Sequence, residues 1–103
     1  MCRKFHADMN ELRLLCTYAG PGTQWVPNEY VDRKALNRLG ENEEIISDET
    51  KIRQASEGDV VLLKGALYPE EGVKAAIHRS PPIKAEGEKR LLVRIDTMQM
   101  NFF

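Results

Sequence analysis

Histidine and cysteine, the side chains most often used to hold transition metals or to act as nucleophiles, are scarce: two of each in 103 residues. The cysteines, Cys2 and Cys16, form no CxxC pair and no spacing of a zinc module, so reduced thiols are expected. Cys16, inside the apolar stretch LRLLCTY, reads as a small buried hydrophobe, while Cys2, near His6, stays open as a stray ligand. A Ser-His-Asp or Cys-His arrangement would need a nucleophile beside one of only two histidines, and no nucleophile elbow is present. No glycine-rich loop opens a helix, which excludes a phosphate cradle.

An excess of one charge is missing too. Fifteen basic and 16 acidic residues are well mixed and leave a net charge of -1, so there is no footprint for nucleic acid or an anionic membrane. No apolar run approaches the ~20 residues of a membrane span, and MCRKFHAD has no apolar segment of signal-peptide length. A soluble, cytoplasmic chain is expected. With 42% hydrophobic residues, residues 1–103 form a single domain, able to bury roughly 60–70% of its unfolded surface.

What is present is β pattern. In residues 11–18, Leu12, Leu14, Cys16 and Tyr18 alternate with Arg13, Leu15 and Thr17, as in a half-buried strand. AGPGT then forces a turn and QWV resumes as a short strand. PNEYVDRKALNRLG predicts one helix near 28–39, with Asn28 as N-cap and Gly40 just past its end. ENEEIISDETK reads as a solvated surface loop. KIRQA, VVLLKG, VKAAIH and RLLVRIDT are further strands bounded by Gly, Pro or Asp, with Asp59 a turn residue and Asp96 a strand-end residue. Short strands with frequent turns predict an all-β sandwich or barrel.

Side chains at i and i+2 of a strand project to one face, with Cα atoms about 6.6–6.8 Å apart. His6 and Asp8 can therefore converge on one ion. If His78, 72 positions away in VKAAIH, joins them, the three make a two-histidine, one-carboxylate facial triad with open positions on a ferrous ion. Taken singly, His6 reads first as a surface histidine near a terminus and His78 as a hydrogen-bonded residue at a strand end.

The order of the surrounding elements bears on that choice. HAD, a strand ending in CTY, a Gly-rich turn, EGDVVLLKG and finally HRSPPIKAEGEKRLLVRID resemble the core of the iron(II)/2-oxoglutarate-dependent dioxygenases, over nearly the whole chain. The resemblance implies a double-stranded β-helix of the cupin or jelly-roll kind, metal ligation by His6, Asp8 and His78, and a cation on the last core strand that grips the distal carboxylate of 2-oxoglutarate. Arg90, 12 residues after His78 and preceded by Gly87 in the turn, is the first candidate for that cation; Arg94, on the same strand face, is its substitute. Arginine suits the task because its planar fork makes paired, charge-assisted hydrogen bonds to a carboxylate. The alternative for both is a solvated edge-strand charge. Tyr18 is placed either to hydrogen-bond the cosubstrate or to pack in the core, and Trp25 either at a pocket mouth or as a core anchor.

A closer resemblance is to an uncharacterised bacterial family, a domain of unknown function, carried by RLLCTYAGPGTQWVP, VVLLKG, HRSPP and RLLVRID. It names no reaction. Members have a longer N-terminal part, whereas this chain starts five residues before His6.

Two functions follow as expectations: an iron(II)/2-oxoglutarate dioxygenase-like enzyme acting on a small molecule or protein group, or a barrel that binds zinc or a small ligand without turnover. A homodimer is expected through the first strand, taken as an exposed edge, or through the open sheet face beside it.

Overall fold

The computed structural model describes residues 4–69, 74–81 and 90–96. Six strands and two short helices follow one another: β1 (Leu12–Ala19), β2 (Gln24–Val26), α1 (Arg33–Asn37), α2 (Asn42–Ile45), β3 (Arg53–Gln54), β4 (Val60–Lys64), β5 (Ile77–Arg79) and β6 (Leu91–Asp96). They make two three-stranded sheets, ordered β4-β1-β6 and β3-β2-β5, and every pairing is antiparallel. The chain is mostly β, as the alternation and turns indicated. No helix of the described residues is long and apolar enough to cross a membrane.

Apart from β2 and β3, which follow one another in one sheet, successive strands change sheet. β1, β4 and β6 go to the first, while β2, β3 and β5 go to the second. Two glycines allow close approaches: a Cβ on Gly22 would meet the carbonyl of Ala55, and one on Gly65 the carbonyl of Asn10.

The core lies on the outer face of the second sheet. Phe5, Val26 and Ile77 from the sheet side pack with Ala35, Ile45 and Ile46, all 4% exposed or less. Burying each of the larger side chains contributes about 1.5–3 kcal/mol. The alternation in AAIHR and KFHAD produces this directly, since Ile77 and Phe5 point outward to the helices when His78 and His6 point inward.

The helical region differs from expectation in four ways. The helix expected over 28–39 is broken: Asn28–Tyr30 is a 3-10 turn, Val31 is extended and bridges to Ile46, and α1 starts only at Arg33. Its N-cap is Asp32, whose carboxylate accepts from the N–H groups of Lys34 and Ala35, so Asn28 is not the cap. At the other end Leu39, not Gly40, takes the left-handed conformation (φ 60°). ENEEIISDETK is not a solvated loop either. It holds α2, started by a capping box between Glu41 and Glu44, and its two isoleucines are core. The acidic residues dominate the composition of that stretch, while two adjacent apolar side chains decide where it packs.

Strand β1 is central in its sheet, flanked by β4 and β6. It is therefore not an exposed edge, and the edge-pairing route to a dimer does not apply to it. Its expected alternation is observed: Arg13 and Leu15 line an inner cavity between the sheets and Thr17 lies beside it, while Tyr18 on the other face is exposed. Cys16 is buried as expected, with its Sγ 3.9 Å from the Gly58 carbonyl.

Candidate metal centre

His6 and His78 exchange both of their backbone hydrogen bonds, His6 N–H to His78 C=O at 3.0 Å and His78 N–H to His6 C=O at 3.1 Å. Opposed residues of an antiparallel pair project to one face, so this single bridge sets the two rings side by side, with centroids 4.6 Å apart. Asp8, two residues after His6, joins them. His6 Nε2 and His78 Nε2 lie 3.5 and 3.3 Å from Asp8 Oδ1, and one ligand atom from each of the three residues falls within 4.8 Å of the others. The Asp8 and His78 side chains are 3% exposed and that of His6 is 33% exposed, so solvent reaches the cluster past His6.

The hydrogen bonds of the rings show what the cluster can hold. His6 Nδ1 is 2.8 Å from the Lys4 carbonyl, which can only accept, so Nδ1 carries the hydrogen. His78 Nδ1 faces the Ala76 carbonyl in the same way at 3.4 Å. In the neutral imidazoles this leaves a lone pair on each Nε2, aimed at the same carboxylate oxygen. Three electron-pair donors then meet, an arrangement that a proton on one ring or a bound cation satisfies. Asp8 Oδ2 is buried and has no hydrogen-bond partner among the described residues, a further electron-pair donor. Two imidazoles oriented by carbonyls and one buried carboxylate fit a first-row divalent ion.

Electrostatics agree. Burial pushes the Asp8 pKa up, but hydrogen bonds from His6 and His78 and the charges of His78 and Arg13 outweigh it and hold the carboxyl well below the usual range. The hydrogen bond with Asp8 raises the His6 pKa against the opposing effect of burial.

One cation is built in. Arg13 Nη1 lies 2.7 Å from Asp8 Oδ1, while its Nε and Nη2 grip both oxygens of Asp96 at 2.6 and 3.2 Å. Arg13 and Asp96 face each other across the β1–β6 ladder. Asp96 is thus more than a strand-end residue, because it holds the guanidinium that holds Asp8. The sequence carries one usable sign of this: Arg13 alternates with Leu15 and Thr17 on a face that has no reason to be charged unless something lies there.

Arg90 lines the same cavity of about 210 Å³, together with His6, Arg13, His78 and Arg94. Its Nε donates to the Pro21 carbonyl (2.8 Å), Nη1 to Ser80 Oγ (3.3 Å), and Nη2 to Thr23 Oγ1 (2.8 Å) and Thr17 Oγ1 (3.3 Å). All four partners are neutral, and among the described residues Arg90 has no carboxylate partner. Burial lowers its pKa. The threonines and Ser80 carried no sequence signal, since such hydroxyls are common on any strand or turn.

The other candidates separate. Arg94 lines the cavity, though its side chain is 59% exposed and 3.6 Å from Asp96. Tyr18 is 59% exposed on the outer face, and neither the cosubstrate role nor core packing holds for it. Pairing has a period of two, so Tyr18 shares the face of Leu14 and Cys16 rather than that of Arg13 and Thr17. Trp25 is opposite His78 in the β2–β5 ladder and half-buried, outside both the cavity lining and the core cluster. Asp59 accepts from the Ser56 N–H at 2.8 Å, as a turn residue does. Cys2 and Gly87 lie outside the described residues.

Fold and centre together define a β-rich domain with a two-histidine, one-carboxylate cluster between its two sheets. The chain belongs to the family described as protein of unknown function (DUF1826), whose model matches residues 1–96 and so spans every candidate residue above. Neither the curated proteins nor the solved structures give a match.

Proposed function

We propose that the chain is a mononuclear metal protein of the iron(II)/2-oxoglutarate oxygenase kind, with His6, Asp8 and His78 as ligands and Arg90 as the carboxylate-binding cation. The observation that carries this is the sharing of one cavity by the two histidines of the cluster and a half-buried arginine whose partners among the described residues are all neutral. A guanidinium taken from water without a counter-charge is costly, and an anionic ligand would supply that charge. The cavity suits a small diacid rather than a larger molecule. Strand order supports a double-stranded β-helix, because the chain crosses repeatedly between two antiparallel sheets, and His6 bridges to His78 on β5 of the second.

When bound, iron(II) and 2-oxoglutarate supply oxidation by dioxygen. The residues of this chain do the positioning. The carbonyls of Lys4 and Ala76 hold each Nε2 toward the centre. Asp8 would compensate the ion's charge, and Arg90, held by Pro21, Thr17 and Thr23, would offer its charge and the remaining Nη1 N–H to the distal carboxylate.

A second function, a zinc- or small-ligand-binding barrel without turnover, is favoured by Arg13. Its contact with Asp8 already balances the carboxylate in the metal-free chain. One experiment separates the two. The purified chain is titrated with iron(II) and zinc, and 2-oxoglutarate consumption is followed under oxygen. Binding with consumption supports the oxygenase, whereas binding without consumption leaves the second function. No binding beyond that of a His6→Ala, His78→Ala double variant eliminates both.

A further inference from the structure

Among the described residues, nothing covers the outer face of the β4-β1-β6 sheet. In the observed register Leu62, Leu14 and Ile95 stand in one row across the three strands, and Val60, Cys16 and Val93 in the next. Val60 and Leu62 are each 64% exposed, Leu91 60%, Ile95 57% and Val93 38%, with Tyr18 at 59% on the same face. Among the described residues, Lys64 is the only charged side chain that the strand alternation places there, and it lies at a corner. The other sheet differs, since its outer face is covered by α1 and α2.

We propose that this face seats a second copy of the chain, making a two-fold dimer in which the two bare faces pack as a β-sandwich. Area is the first reason. Each of these side chains leaves on the order of 100 Å² in water, so the face offers roughly 600 Å² of apolar surface, the upper end for a monomer's largest patch. The half-buried Leu12 and Leu14 bring it close to the ~800 Å² that each partner gives to a standard interface. Shape is the second reason. A twisted sheet face matches another sheet packed about 10 Å away. Charge is the third. A two-fold contact sets a surface against itself, so a charged face would repel its copy, whereas this nearly uncharged one does not. The face is chosen over the edge because Arg94 and Asp96 stud β6, the usual guard against edge pairing.

The test is sedimentation of the 103-residue chain, from about 1 to about 100 µM. A dimer that dominates at the upper end is expected. Leu62→Lys with Val93→Lys would weaken it by at least about 100-fold, because two charges would be buried without partners. Both positions are exposed in the single chain, so the variant keeps its circular dichroism. In parallel, methyl groups of Leu62, Val93 and Ile95 in the unaltered chain are tested against a dissolved paramagnetic agent, with protection expected at high concentration and loss of protection on dilution. A monomer throughout the range would leave the face to another segment or partner and overturn the proposal. So would a dimer unaffected by the two lysines, or methyl groups equally exposed at every concentration.

Discussion

The two sheets share one interior and differ in what lies outside them. Behind β3-β2-β5, two short helices bury Phe5, Ile45 and Ile77, each 1% exposed or less. Behind β4-β1-β6, side chains of the same chemistry stand in water at 38–64% exposure. Inward, the second sheet presents two imidazoles and the first presents arginines and a threonine. Apolar character therefore does not by itself report burial in this chain. What a strand residue does depends on the face it takes and on whether a second layer follows in sequence to cover that face.

The largest effect expected from breaking this contrast is on stability. Phe5→Ala removes a ring from beneath the helices and should cost about 3–5 kcal/mol, whereas Ile95→Ala, measured where the chain is dilute, should cost well under 1 kcal/mol. Urea denaturation of both checks this, and equal losses would mean that the bare face is already covered within one chain.

Next comes Arg13, the link from β6 to the centre. Arg13→Gln should lower affinity for a divalent ion by about 10–100-fold, the usual effect of removing a partner that orients a ligating carboxylate. Asp96→Asn should act in the same direction though it touches no candidate ligand. Metal titration by calorimetry measures both, and a loss of thermal stability with unchanged affinity would make Arg13 merely structural.

Arg90→Gln should leave metal affinity unchanged and weaken 2-oxoglutarate binding by roughly tenfold or more, the loss of a charged hydrogen bond being about 1.5–3 kcal/mol. A variant equally impaired for metal and diacid would show that Arg90 supports the fold rather than the ligand.

The dependence on pH is smaller and has a defined sign. The raised His6 pKa means that its stabilisation of the metal-free chain is complete below the ordinary value of 6.5 and fades as pH rises through the folded value. The lowered Asp8 pKa stabilises above the ordinary 3.8 and is lost only in strong acid. Metal-free stability contributed by this pair should therefore be greatest between 3.8 and 6.5. Metal affinity should run the other way, falling up to about tenfold per pH unit as acid protonates His6. Thermal melts with and without zinc across that range would show the two trends crossing. Smallest of all, Tyr18→Phe should change neither metal nor diacid binding, since its hydroxyl stands on the outer face.

By itself the sequence determined the strands and much of the centre. Alternation in RLLCTYA and LLVRID, with glycine and proline between runs, is a local property of a pleated chain, and HAD places a histidine and a carboxylate on one face whatever surrounds them. Short helices were less legible. Propensity in PNEYVDRKALNRLG is continuous, but Val31 is drawn into a bridge with Ile46 and divides it, and Ile45 and Ile46 pack inward from a stretch whose composition looks solvated. Only the tertiary structure decided that His78 meets His6 through a single antiparallel bridge, that Asp96 is opposite Arg13, and that Arg90 has four neutral partners. Each of those joins residues 67 to 83 positions apart, apart from the Arg90–Ser80 contact. No local preference encodes such a distance; strand register does, and register is settled only when both sheets bury what they can.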